Sequence, residues 1–183
     1  YNFLLQNTMN FIETISNYVL ENYSVKELPN IAMKALNENI ESESIYILAG
    51  MDEKDNSFEI LQYFNHSLDE LQINLPSKTA AAKILTKYYL IKMVENPNKV
   101  FEIMKILDND VYKQIDWKGH ERKHIGEELN LEYLYTWYRE IQDWIDNGMI
   151  LYFNDLSRDE QRMKFDENLL LEAKKTLRNN YTY

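Results

Sequence analysis

The stretch Ser77–Glu95, SKTAAAKILTKYYLIKMVE, constrains the fold more than any other part of the chain. Ala80, Ala81, Ala82, Ile84, Leu85, Tyr88, Tyr89, Leu90, Ile91, Met93 and Val94 cover most of a helical wheel. Lys83, Thr86 and Lys87 leave only a narrow polar strip. A helix apolar on so much of its circumference is enclosed by other helices. Prolines mark both ends. Pro76 disfavours a helical Leu75, and Ser77 can then cap the helix. Pro97 pushes Asn96 out of helical geometry, so Asn96 is expected to cap a second helix, Pro97–Leu107, with Pro97 in its first turn. Tyr88, Tyr89 and Met93 read as core packing rather than a cofactor cage.

The other segments carry helical spacing too. Met9–Tyr23 places Phe11, Ile12, Ile15, Tyr18 and Val19 on one side, with Thr8 or Asn10 as cap. Ser24-Val25-Lys26-Glu27 has the form of a capping box, but Pro29 would then fall inside the helix. A helix Pro29–Asn39 is expected instead, burying Ile31, Ala32, Ala35 and Leu36. Ser42–Ala49 is a short helix stopped by Gly50. After a polar turn, Asp52–Asn56, the next helix directs Phe58, Leu61, Phe64, Leu68 and Leu71 inward, with His66 at the surface or boundary.

Beyond Leu107 the chain loosens, and Asp108–Asn130 is a candidate junction between subdomains of one helical domain spanning 1–183. Leu131, Leu134, Tyr138, Ile141 and Ile145 then make one stripe, widened by Tyr135, Trp137 and Trp144. Met149–Phe153 is a short apolar run, either extended or a buried loop. Ser157–Glu160 is a capping box for a brief helix, and Asp166 is expected to cap the last one.

LPNIAMKALNENIESESIYILAGM, then FEILQYFNHSLDELQINLPS, then the alanine-rich helix and ENPNKVFEIM resemble a pattern in small uncharacterised bacterial proteins. In these a helix opening with Leu-Pro precedes a short helix ending in Leu-Ala-Gly and a third ending before a Leu-Pro turn. The resemblance runs from about Leu28 to Leu107 and rests on helix starts and stops. It implies an all-helical fold and carries no activity, cofactor or catalytic residue.

Composition narrows the chemistry. The chain has no cysteine, which removes thiol catalysis, disulfides and thiolate metal sites and fits a cytoplasmic setting. Gly50, Gly119, Gly126 and Gly148 stand apart, so no glycine-rich phosphate loop exists. No run is long and apolar enough for a membrane span, and no signal peptide is evident. Met9 is a candidate start, with Tyr1–Thr8 a leader or an upstream extension.

The formal charge is −10, and it is uneven. Between Asn37 and Pro76, Glu38, Glu41, Glu43, Asp52, Glu53, Asp55, Glu59, Asp69 and Glu70 face one base, Lys54. Ser77–Leu107 carries six lysines against two acids. These lobes either complement each other internally or offer an acidic face to a basic partner. Nucleic acid is disfavoured, because the field repels phosphates.

One motif has catalytic form. His120-Glu121-Arg122-Lys123-His124 resembles the His-Glu-x-x-His segment of zincin metalloproteases, in which two histidines on one helical face hold zinc and the glutamate activates water. Arg122 and Lys123 depart from the usual uncharged residues, and flanking glycines disfavour a helix, so an exposed polar loop is the competing reading. Glu140 and Asp143 are candidate third ligands. The sequence predicts an all-α bundle of seven to nine helices without cofactor. The leading function is a non-enzymatic protein-binding module, immunity- or antitoxin-like. The alternatives are a zinc-dependent hydrolase on His120, Glu121 and His124, or a homo-oligomer built on Trp137, Trp144 and the tyrosines.

Overall fold

The Asn10 side chain accepts from the Glu13 N–H, and the Glu13 carboxylate accepts from the Asn10 N–H. This capping box starts helix α1, Phe11–Val19. The computed structural model describes residues 8–115 and 129–181. A second box forms at Ser24, whose N–H and hydroxyl both reach the Glu27 carboxylate. Its conflict with Pro29 is resolved by length. The box closes only a 3-10 turn, Val25–Glu27, and α2, Leu28–Asn37, begins afresh with Pro29 in its first turn, where no N–H is required.

Ser42 caps α3, Glu43–Ala49, and Asn56 caps α4, Ser57–Glu70, each by accepting a backbone N–H. The Ser77 hydroxyl accepts from the Ala80 N–H at the start of α5, Lys78–Glu95. Asn96 does not cap the next helix. Its amide turns back and donates to the Lys92 carbonyl at 2.9 Å, closing α5 instead. A 3-10 turn, Pro97–Lys99, therefore intervenes before α6, Val100–Asp110.

Helix α5 is buried along most of its circumference. Ala81, Ala82, Leu85, Tyr88, Tyr89, Leu90 and Met93 are buried, while Lys78, Thr79, Lys83 and Glu95 are exposed. Thr86, expected on the polar strip, is fully buried.

The remaining helices are α7, Glu132–Ile145, and α8, Arg158–Tyr181. Eight α-helices and no strand occur among the described residues, so the fold is all-α, as expected. No described helix is long and apolar enough to cross a membrane.

The chain divides into two compact units, Tyr1–Leu85 and Thr86–Tyr183, with the boundary inside α5. In the first, α2 packs on α3 and α1, and α3 packs on α4. Phe11, Ile15, Leu28, Ile31, Ile45, Leu48, Ile60 and Phe64 form its core. In the second, α7 packs chiefly on α8, and α6 packs on both. Ile103, Leu107, Leu134, Ile141, Phe165 and Leu169 are buried there. Asp108–Asn130 falls within the second unit's span, and residues 116–128 of it lie outside the described ones.

Two expectations fail in the second unit. The box at Ser157 forms, but the helix it opens is not brief: α8 runs 24 residues without a break. Phe165, Leu169 and Ala173 continue one buried face, so nothing ends the helix at Asp166. Asp166 instead pairs with Arg162 one turn earlier, at 2.8 Å. The run Met149–Phe153 is neither strand nor buried loop. Met149 and Leu151 are largely exposed, and the segment is irregular. No strand among the described residues offers it a ladder, and its N–H groups at Leu151 and Tyr152 go to the Glu140 carboxylate.

Candidate protein-binding surface

All nine carboxylates between Asn37 and Pro76 are exposed. Several of them also serve the local structure. Glu38, just past the end of α2, accepts from the Phe11 N–H at 2.6 Å and so ties down the start of α1. Glu70, at the end of α4, accepts from the Ser44 N–H at 3.0 Å and from the Ser44 hydroxyl at 2.7 Å. A carboxylate there favours the positive end of α3. The Ser42 hydroxyl, then the Ser44 N–H and hydroxyl, hold the Glu70 carboxyl below the usual carboxylate range. Asp55 accepts from the Asp52 N–H, shaping the turn into α4.

None of the nine forms an ion pair among the described residues. The nearest lysine contact makes the point. Lys26 donates to the backbone carbonyl of Asp55 at 2.7 Å, not to its carboxylate. Among the described residues no direct ion pair offsets the negative charge of this region.

Apolar side chains stand among these acids. Phe58, expected in the core, is 73% exposed. The buried face of α4 is Ile60, Phe64, Ser67 and Leu68, and a residue two places before Ile60 lies about 200° round the helix. Tyr46 is more than half exposed, and Ile47 and Met33 are exposed too. The Glu41 carboxylate beside the Tyr46 phenol holds that phenol above its ordinary value. Aromatic anchors within a charged field are the usual composition of a protein-recognition surface.

The other sequence candidates fare differently. His120, Glu121 and His124 lie outside the described residues. Glu140, a candidate third ligand, is buried and committed to the Leu151 and Tyr152 N–H groups. Asp143 is exposed on α7. His66 is exposed, as expected. Among the described residues no group of three His, Asp or Glu side chains is placed to hold a metal. Trp137 packs within α7, α8 and their connection, against Tyr152, Phe153 and Phe165. Trp144 lies under Arg158 and Arg162. No known family model, curated protein or solved structure matches the chain.

Proposed function

We propose that the protein is a non-enzymatic binding module whose first unit docks a basic protein through this acidic, aromatic-studded surface. The observation that carries the reading is nine exposed carboxylates with no ion pair among the described residues, in the same unit as an exposed Phe58 and Tyr46. Unneutralised like charges cost folding energy through self-repulsion, and a basic partner relieves that cost on binding. The long-range field speeds encounter, while Phe58 and Tyr46 supply the short-range contact that slows release. An immunity- or antitoxin-like role, neutralising a cationic protein, is one concrete form of this.

The test is binding of cationic proteins at low and high ionic strength, with the wild type beside a variant reversing Glu43, Glu53, Glu59 and Asp69 to lysine. These four carry no structural hydrogen bond among those described above. Association that slows steeply with salt and is lost in the variant supports the reading. Binding that ignores both salt and charge reversal rejects it.

A further inference from the structure

The second unit carries an exposed apolar loop tip and a groove that carry opposite charge. The tip belongs to the connection between α7 and α8. Met149 is 83% exposed and Leu151 70% exposed, with Tyr152 beside them. Such apolar side chains usually wave on a mobile loop, but these are held from beneath. The buried Glu140 carboxylate accepts from the Leu151 N–H at 2.9 Å. Phe153 takes a left-handed backbone, φ 60°, which turns its ring under the loop. There it stacks on Trp137, with ring centroids 6.1 Å apart, and meets Phe165. The backbone that carries the apolar tip is thus anchored, which lowers the entropy cost of docking it. Exposed Asp143, Asp146 and Asp155 flank it in sequence, and none forms an ion pair among the described residues.

The groove, of about 370 Å³, lies between the second half of α5 and the end of α8. Ile91, Val94 and Leu177 give it an apolar floor, and Lys87, Lys174 and Arg178 bring three cations to it. Its size is at the small end of ligand clefts, suited to a few side chains rather than a large cofactor.

The loop cannot fill the groove of its own chain. It is anchored at the start of α8, whereas the groove begins at Lys174, and a helix rises about 1.5 Å per residue, placing them roughly 24 Å apart. We propose that the occupant is the Met149–Tyr152 tip of a second copy, its aspartates facing the first copy's cations. The interface is head-to-tail, since tip and groove are different surfaces, so a pair of copies retains one free groove on one copy and one free tip on the other. This is independent of the acidic surface on the first unit.

The test uses a tip variant, Met149→Asp with Leu151→Asp, and a groove variant, Lys174→Glu with Arg178→Glu. All four positions are exposed. Sedimentation is followed over a wide concentration range at physiological ionic strength, where screening over roughly 8 Å limits repulsion between acidic copies. The wild type should rise above its 22.0 kDa monomer with concentration, and each variant alone should stay monomeric. An equimolar mixture should recover a dimer and nothing larger, because one variant supplies the tip and the other the groove. That recovery also shows that both variants are folded. A wild type monomeric throughout, variants that associate like the wild type, or a mixture that stays monomeric each overturns the proposal.

Discussion

The Trp144 indole N–H donates to the Arg158 carbonyl at 3.2 Å, and the Arg158 guanidinium returns a 2.6 Å bond to the Trp144 carbonyl. The same guanidinium lies 4.3 Å from the centre of the indole ring. End of one helix and start of the next are thereby tied at both backbone and side-chain level. Arg158→Lys keeps the charge but loses the planar face and the second donor. It should destabilise the protein by about 1 kcal/mol, read from urea unfolding, and should speed hydrogen exchange in the 148–156 connection.

Glu140 is the deeper support of that connection. Glu140→Ala leaves the Leu151 and Tyr152 N–H groups without their acceptor. A loss of about 2–3 kcal/mol is expected, with faster exchange of the Leu151 amide. Glu140→Gln retains one acceptor oxygen and should recover a substantial part of that loss.

Tyr135 and Asp108 form a buried charge-assisted pair, O–H to carboxylate, at 2.6 Å. Burial, and then the Asp108 bond, push the phenol well above its ordinary range, so it remains a donor throughout the working pH range. Lys113 holds the other Asp108 oxygen at 2.8 Å. Tyr135→Phe should cost about 1.5–3 kcal/mol in denaturant unfolding, because Asp108 stays buried with one partner fewer.

Two carboxylates should give opposite pH signatures. Burial raises the Asp110 carboxyl above its ordinary value, and the Tyr89 O–H at 3.0 Å offsets this only in part. The folded state then binds a proton more readily than the unfolded one. Its contribution is present below the unfolded value and is lost as pH rises through the folded value. Asp110→Asn should therefore gain stability relative to wild type at neutral pH, and the gain should vanish in acid. Glu70 is lowered, so its contribution is present above the unfolded value and is lost as pH falls through the folded one. Glu70→Gln should lose stability at neutral pH and match wild type in acid. Unfolding curves from neutral to acidic pH check both.

Phe58 should separate stability from binding. At 73% exposure its removal opens no cavity, so Phe58→Ala should shift stability by less than about 0.5 kcal/mol. Dissociation from a basic partner should nevertheless quicken, as measured by surface binding kinetics. An unchanged off-rate would remove Phe58 from the proposed surface.

Much of the architecture was legible along the chain because its signals are local. Ser42, Asn56, Ser77 and Ser157 each open a helix by serving N–H groups within three residues of themselves. The proline pair flanking α5 acts on the adjacent residue, and the all-round apolar character of α5 depends only on its own spacing. The nine-acid segment was visible as well, since charge is counted without coordinates.

What the tertiary structure decided concerns partners distant in sequence or competing for one group. Phe58 faces outward because the layer packed on α4 meets Ile60 and Phe64, and Asn96 serves the helix behind it because the Lys92 carbonyl was within reach. Glu140 is buried because a connection eleven and twelve residues later brings two free N–H groups to it. That the nine acids between Asn37 and Pro76 form no ion pair among the described residues could not be read from composition, which supplies lysines nearby in the chain but says nothing of where their ammonium groups end up. Helix propensity, capping and charge count are properties of a few neighbouring residues. Burial and pairing are properties of whatever folding brings opposite, and only packing chooses that.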